Sequence, residues 1–558
     1  MRIENLENKK QRFQEFFSWL FENKDLDISS ETDLSLCPTY LDPDIYFPKP
    51  IKDFFDTKAM QRLGHISQLG LAISDDHNLY HTRLEHSKGV YNRKLEEFFY
   101  KFQSPIWRKQ IEDANFKIYL IAELIKSAGH DMGHFPYSHA FEEQIIDKRG
   151  FHEEITRLLM YKDPEIQKVL TNIDPSLPGV MKEVMDEHIS NFDEHDESSY
   201  DNDREDYLQR DAFYSGFKIP LFTQQYKTYQ VQLDQNGMPA KYPDGSIILK
   251  NNSNKPNTTS MIPTIDVYEY SSLNEILKTL RLRAKQYSTI YMSPNTIYKE
   301  TSISCFLEAF LKSKSDCGKE LKDYLNHLKE AKFNVDKIDI EEIKSWDEIK
   351  LYSSLLDIAR NHEDENLRDL AAMIIPPLPG FLNLVNSFTN IVANPDSNSS
   401  YSEDTKRLLS QIKQLLTSKD EKDLALLNKL KDGNFQQNNI LLIDSKSANI
   451  DVSYPLISTF YCSNSSYKQS EPIYVKDKTG RIYELSTHPE VNKEELLRPE
   501  KHTQTFLNIP FLKFHGISPE HIEYLKTKFN TPKKPEKPDT DLNLSPTQVD
   551  HNIEDYYI

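Results

Sequence analysis

The sequence predicts a mainly α-helical protein with a β-hairpin insertion and a small α+β region towards its C-terminal end. Three observations carry that prediction. Between residues 50 and 393 apolar side chains recur at helical spacing, as in "NFKIYLIAELIKSAG", "TRLEHSKGVYNRKLEEFFYKF" and "KETSISCFLEAFLKSK". Alternating, turn-punctuated sequence is confined to "TYQVQLDQNGMPAKYPDGSIILK" and to the stretch that begins at "NNILLID". Only 15 glycines occur, which argues against glycine-rich folds and linkers.

Taken in order, residues 1–49 read as an N-terminal extension and 50–393 as a helical domain. Within that domain, Asn-Gly and Asp-Gly turns mark a β-hairpin insertion at 222–262. "NPDSNSSYSED", 394–404, reads as a polar linker. The region 405–529 holds a helix, "TKRLLSQIKQLLTS", then the β-like runs "NNILLID", "ISTFYCS" and "PIYVKDKTGRIYELS", the last a hairpin around Lys-Thr-Gly. Residues 530–558 are Pro-rich and polar, a composition expected to be disordered. No internal repeat is visible.

Bulk properties narrow the function. A length of 558 residues suggests two to four domains, and 38% hydrophobic with 28% charged residues fits a soluble globular chain. Thirty tyrosines and 29 phenylalanines can fill a large aromatic core. A net charge of −19 argues against a protein that coats nucleic acid, while leaving room for one basic pocket around a small anion. Cys37, Cys305, Cys317 and Cys462 stand far apart with no CxxC pair, so neither a zinc knot nor a redox motif is expected. The charged "MRIENLENKKQRFQEFF" lacks a signal-peptide core, and "LAAMIIPPLPGFLNLV" is broken by prolines and too short to span a bilayer. A cytoplasmic protein with no membrane partner is the expectation.

The chemistry concentrates in "KSAGHDMGHFPYSH", 126–139, at the end of the apolar run "FKIYLIAELI". Imidazole nitrogen and carboxylate oxygen suit a hard or borderline divalent cation. His130 and Asp131 are adjacent, and neighbours on a helix diverge by about 100°, yet both can reach an ion set against the helix side. His134 shares the face of His130 one turn on, and Gly133 permits close approach of another group. Burying so many polar groups is costly without a partner. Further ligands must come from elsewhere: "YHTRLEHSKGV" offers His81 and His86, and "YDNDREDYLQRD" offers Asp203, Asp206 and Asp211. In chain order, His86, His130, Asp131 and Asp203 make a His, His-Asp, Asp set.

With "DTKAMQRLGHISQLGLA", "HTRLEHSKGVY", "GHDMGHFPYSHAFE", "FHEEITRLL", "DREDYLQRD" and "LRAKQYSTIY" in that order, the chain resembles the HD superfamily of metal-dependent phosphohydrolases. The resemblance is strongest to the dGTPase-like deoxynucleoside triphosphate triphosphohydrolases. It covers about residues 56 to 291, nearly half the chain. It implies an HD-domain helical core and one divalent metal per site (Mn, Mg or Fe, with Zn, Ni or Co as alternatives), held by His86, His130, Asp131 and Asp203. Asp203 is preferred to the nearby Asp201 because it stands three residues before "DYLQRD".

Phosphate cleavage also needs a proton for the leaving oxygen. His139 and His134 are placed to supply it, Glu142 lies one turn from His139 and could orient it, and His152 is a further candidate. A triphosphate needs cationic partners, and the resemblance implies phosphate contacts at Arg83, Arg204 and Arg283, while Arg62 and Arg210 brace the fold. For the sugar it implies Gln68, Leu69, Tyr207, Asp211 and Tyr291, a set able to hold a 3′-hydroxyl and exclude a 2′-hydroxyl. "MSP" follows Tyr291 where many relatives carry a basic residue, and Lys299 could substitute.

The implied reaction is attack of water on the α-phosphorus of a dNTP, releasing deoxynucleoside and triphosphate. A nucleotide-regulated homo-oligomer, tetramer or hexamer, and a use in antiphage defence are further expectations. Two other readings keep parts of this set. One is an HD phosphodiesterase or nuclease acting on cyclic or single-stranded nucleotides, disfavoured by the acidity and the sugar-reading residues. The other is a nucleotide sensor with little turnover, disfavoured by the full ligand set.

Overall fold

The computed structural model describes residues 6–21, 34–36, 38–42, 45–72, 81–103, 114–139, 141–142, 150–192, 202–217, 226–235, 238–249, 264–291, 296, 303, 306–307, 309–331, 334–375, 389–393, 441–444, 457–465, 472–493, 499–507 and 519–520. It is mostly helical. At its centre runs the Ala114–Gly129 helix, in which Leu120, Ile121, Ala122, Leu124, Ile125 and Ala128 are all buried. A helix apolar on most of its faces has to be wrapped by others. Here Arg83–Gln103, Leu177–Phe192 and Lys49–Phe55 pack around it. The N-terminal extension joins the same core: Phe13, Phe16, Phe17 and Leu20 of the Leu6–Leu20 helix cluster with Phe47, Phe54 and Leu95. On the far side Lys319–Ala331, Glu348–Asn361 and Glu365–Ile374 add Leu321, Tyr324, Leu355 and Leu370.

Strands are few and short. β1 (Leu34–Leu36) and β2 (Tyr46–Pro48) form an antiparallel pair. The insertion supplies β3 (Tyr226–Gln230), whose partner β4 (Thr264–Tyr268) lies just beyond the expected bound at 262. Inside that pair a smaller turn closes, with Lys241 opposite Ile247. Asp244 accepts hydrogen bonds there from the Ser246 amide at 3.0 Å and hydroxyl at 2.6 Å, the side-chain chemistry that favours Asp-Gly turns. The C-terminal hairpin around Lys-Thr-Gly, β8 (Tyr474–Lys476) and β9 (Ile482–Glu484), joins this same sheet in the order β3-β4-β8-β9. The β4–β8 pairing is parallel, with Val267 opposite Tyr474.

The other sheet has the order β5-β10-β7-β6, built from Thr389–Ala393, Pro499–Leu507, Ile457–Ser465 and Leu441–Asp444. β5 lies at the end of the stretch expected to be helical; its β-branched Thr, Ile and Val favour the extended backbone that pairs with β10. The linker 394–404, the helix "TKRLLSQIKQLLTS" and the tail 530–558 lie outside the described residues. Among the described residues, no helix is long and apolar enough to cross a membrane.

Candidate functional site

Three helical elements bring their ends to one point. His86 lies on the first turn of Arg83–Gln103, His130 and Asp131 follow the C-terminus of Ala114–Gly129, and Asp203 opens Asn202–Tyr214. His86 Nε2 lies 2.8 Å from Asp203 Oδ1, and His130 Nε2 lies 3.5 Å from that oxygen. Asp131 is 3.4 Å from His130 Nε2 and 3.7 Å from His86 Nε2. The two Nε2 atoms are 3.3 Å apart.

The outer nitrogens each have a fixed partner. His130 Nδ1 sits 2.9 Å from the Ser127 carbonyl, which only accepts, so Nδ1 carries the proton. His86 Nδ1 sits 2.9 Å from the Asp206 carboxylate, which likewise takes an N–H. With a cation bound, both rings would be neutral and each would offer its Nε2 lone pair, with two carboxylates beside them. His86, His130 and Asp203 bring one donor atom each within 4.8 Å of one another, a spacing that fits one small divalent cation, and Asp131 touches both histidines beside them. Without a cation the positive charge must come from protons: burial would lower His86, but hydrogen bonds to Asp203 and Asp206 lift it to about 10. Asp131 is held well below the usual carboxylate range, because Arg83, His130 and His134 outweigh the effect of burial.

Asp206 stands behind His86, at its outer nitrogen, rather than within the cluster. It is fully buried and accepts from His86, from Arg93 Nε at 3.2 Å and from Arg210 Nε at 2.9 Å. Carboxylates in this place fix the ring and raise its basicity. Asp206→Asn is expected to weaken Mn²⁺ binding ~10–100-fold, read by titration calorimetry. Arg210 also reaches Asp42 at 2.8 Å, and Arg62 donates to the carbonyls of Met132, His134 and Trp346, so both act as braces.

The second group of side chains adjoins the first. His134 Nε2 lies 3.2 Å from Asp131 Oδ1, and its ring stacks on His152 at 3.9 Å between centroids. Glu142 accepts from His152 Nδ1 at 2.9 Å and from the His152 amide at 2.7 Å, and lies 3.5 Å from His139 Nδ1. His134 is held well below the usual imidazole range by burial, Arg83 and His152, so it is neutral. His152 is also lowered, chiefly by burial. Glu142 is pushed far down, because its two histidines outweigh burial, and stays ionised. His139 is the exposed member, with 56% of its side chain accessible. Gly133 makes this packing possible: a Cβ there would stand 1.9 Å from the His152 carbonyl oxygen.

The residues implied for substrate divide in two. Arg83 is buried and engages Asp131, while its Nε donates to Ser138 Oγ at 2.8 Å, so it lies directly against the histidine–aspartate cluster. Asp211 is buried and receives the Tyr291 hydroxyl on one oxygen and His81 Nε2, at 2.7 Å, on the other. His81 thus serves Asp211, not the His86, His130 and Asp203 cluster. Gln68 and Leu69 lie on a loop bonded to the start of the Arg83–Gln103 helix, with the Gln68 amide donating to the His81 carbonyl at 3.0 Å. Gln68 Oε1 is buried with no hydrogen-bond partner among the described residues, an acceptor still to be satisfied. Arg204 and Tyr207 ride on Asn202–Tyr214 and Arg283 on Leu273–Gln286, and Gln286 Nε2 ties the two helices through the Leu208 carbonyl at 2.8 Å. Arg204 and Arg283 are buried and Tyr207 half-buried. Asp201 and Lys299 lie outside the described residues.

One residue of this neighbourhood carries no sequence signal. Glu348 accepts from the Ser67 amide at 3.0 Å, the Ser67 hydroxyl at 2.8 Å and the Tyr137 amide at 3.1 Å. Burial pushes its carboxyl up to about 7, although these bonds and Arg83 oppose the shift. A folded pKa above the ordinary 4.5 means the folded state binds the proton more tightly, so this group's contribution to stability falls as pH rises towards and through 7. Wild type is expected to lose melting temperature relative to Glu348→Gln between pH 5.5 and pH 8, read by paired thermal denaturation.

No family model matches the chain. It is 36% identical over 179 residues to the uncharacterized protein YwfO of Bacillus subtilis, covering 31% of this chain and 38% of that one. It is 33% identical to the HD domain-containing protein L394 of Acanthamoeba polyphaga mimivirus, over 28% of this chain and 38% of that one. It is 27% identical to the deoxynucleoside triphosphate triphosphohydrolase SAMHD1 homolog of Dictyostelium discoideum, over 35% and 39%. The chain thus spans about two fifths of the length of the curated relatives it matches. In three dimensions it superposes on a phosphohydrolase from Bacteroides thetaiotaomicron with a TM-score of 0.52 at 18% identity, covering 85% of this chain and 99% of that one. Partial sequence likeness and shared fold support kinship with the HD-domain phosphohydrolases, and His86, His130 and Asp203, with Asp131 against them, form a cluster that could hold a metal.

Proposed function

We propose that the chain is a metal-dependent triphosphohydrolase that cleaves deoxynucleoside triphosphates into deoxynucleoside and inorganic triphosphate. The observation that carries this reading is the convergence of His86, His130, Asp131 and Asp203 beside Arg83. The Dictyostelium relative's name supplies the substrate class. A bound divalent ion supplies Lewis-acid charge to a phosphate oxygen and acidifies water. The protein's own groups do the rest. Arg83 places fixed positive charge beside the phosphates. His139, exposed and backed by ionised Glu142, holds a proton at Nε2 for the departing 5′-oxygen as the P–O bond breaks. Neutral His134, donating to Asp131, keeps that carboxylate turned towards the other ligands. Asp211 and Tyr291 offer a carboxylate and a hydroxyl to the sugar, and Gln68 Oε1 adds an acceptor.

The reading predicts that purified protein with Mn²⁺ releases triphosphate from dNTPs and not from NTPs, followed by ³¹P NMR of each nucleotide alone and of mixtures. Release of single phosphates or pyrophosphate would reject it. A dNTP-consuming enzyme drains the pool a replicating phage draws on, so we extend the proposal to nucleotide-regulated antiphage defence by a homo-oligomer.

A further inference from the structure

We propose that Glu348 is a positioning residue, which pins the loop carrying Gln68 and Leu69 to the turn that leads into His139 and so fixes the distance between substrate pocket and proton donor. The inference rests on the hydrolase reading for its kinetic consequence, but the clamp itself is a matter of geometry. All three hydrogen bonds to Glu348 end on the same oxygen, Oε1: two from Ser67, one from Tyr137. Ser67 immediately precedes Gln68 and pairs with Thr82, while the Arg83 amide donates to the Ile66 carbonyl at 2.9 Å, so one side of the clamp is continuous with the helix that bears Arg83 and His86.

The other side is strained. Tyr137 and Ser138 have φ of 58° and 54°, a left-handed conformation that non-glycine residues hold only where their surroundings compel it. The compelling contacts are the Tyr137 amide on Glu348, the Ser138 amide on the Phe135 carbonyl at 2.8 Å, and Arg83 on the Ser138 hydroxyl. His139 is the next residue.

Helix capping does not account for Glu348. The N-cap of Glu348–Asn361 is Asp347, which accepts from the Lys350 amide at 2.9 Å; the Oε1 of Glu348 is engaged by Ser67 and Tyr137, outside its own helix. The two preceding residues reach the same loop. The Trp346 carbonyl receives Arg62 at 3.1 Å, and Asp347 Oδ2 lies 3.0 Å from His65 Nδ1. Trp346 is itself stacked on Tyr324 at 4.5 Å, which anchors this strap to the Lys319–Ala331 helix. Residues 346–348 therefore grip 62–67 at three consecutive points, and Glu348 alone extends the grip to the turn at 137.

The test compares wild type, Glu348→Ala and Glu348→Gln by hydrogen exchange, Mn²⁺ titration and steady-state triphosphate release. Glutamine keeps an acceptor at the Oε1 position and alanine does not. In Glu348→Ala the amides of Ser67 and Tyr137 are expected to exchange about tenfold faster or more, with the Ala114–Gly129 helix unchanged. KM is expected to rise and kcat to fall, together lowering kcat/KM about tenfold or more, while Mn²⁺ affinity is kept and Glu348→Gln stays within about threefold of wild type. A purely structural defect would reduce the folded fraction and leave KM alone. Wild-type exchange at Ser67 and Tyr137 in Glu348→Ala, or a lower kcat at unchanged KM, would overturn the proposal. Where the alanine variant does not fold, Glu348→Asp, one methylene shorter, is read by the same criteria. If wild type releases no triphosphate, the hydrolase reading fails, and the exchange data alone decide whether the clamp exists.

Discussion

The His130→Ala/Asp131→Ala variant is expected to lose more than about a thousandfold in hydrolysis, beyond the ~10–100-fold that follows loss of an outer-shell partner. It removes two of the four donors and leaves His86 facing an Asp203 whose side chain is 49% exposed. The two single changes differ in kind. His130 is partly exposed, and its outer nitrogen makes one bond to a backbone carbonyl, so His130→Ala deletes one donor at small cost to the fold. Asp131 is buried against buried Arg83, so Asp131→Ala also leaves an uncompensated guanidinium inside the protein, a loss of roughly 3–5 kcal/mol. Thermal melts beside activity assays separate the two: similar loss of turnover in both, with a large fall in melting temperature only where Asp131 is removed.

Gly133→Ala is expected to destabilise the protein by more than about 3 kcal/mol and to abolish turnover with it. The added Cβ would stand 1.9 Å from the His152 oxygen and 2.6 Å from the Thr156 nitrogen, both backbone atoms of the Phe151–Lys162 helix. Side-chain rotation cannot relieve a clash with backbone, so the helix has to move. That movement carries His152 away from Glu142 and opens its stack on His134. It also breaks the 2.9 Å hydrogen bond from the Gly133 amide to Thr156 Oγ1. Gly179→Ala is the matched control. It lies in Leu177–Phe192 with nothing within 4 Å of the added atom, so it is expected to be neutral or stabilising by up to ~1 kcal/mol. Urea denaturation of the two variants measures the difference.

Much of this site is local in the chain and therefore readable from it. The Ala114–Gly129 helix shows in its apolar periodicity, and the His-Asp pair at its end shows because so many polar side chains have no reason to follow a core helix. Gly133 stands out as the small residue that lets another group approach closely. What separates Asp203 from Asp206 is finer. Both lie on one helix start, and only packing decides that Asp203 faces His86 Nε2 while Asp206 faces its Nδ1. Likewise His81 and His86 look alike in "HTRLEH", but the ring of His81 is stacked on Tyr214 at 4.4 Å and directed to Asp211. Glu348 is invisible beforehand: an acid just after an Asp N-cap reads as an ordinary first-turn residue, and its partners at 67 and 137 arrive through tertiary packing alone. The parallel pairing of β4 with β8 is hidden for the same reason, because strand propensity reports that an edge exists and not which distant strand covers it.

The most direct test of the central idea is the metal content of the purified chain after dialysis against Mn²⁺, measured by plasma mass spectrometry for wild type, His86→Ala and Asp203→Ala. Wild type is predicted to retain one tightly held ion per chain and each variant to retain none. An unchanged ion count and affinity in both variants would contradict it, since the ion would then be held by other residues.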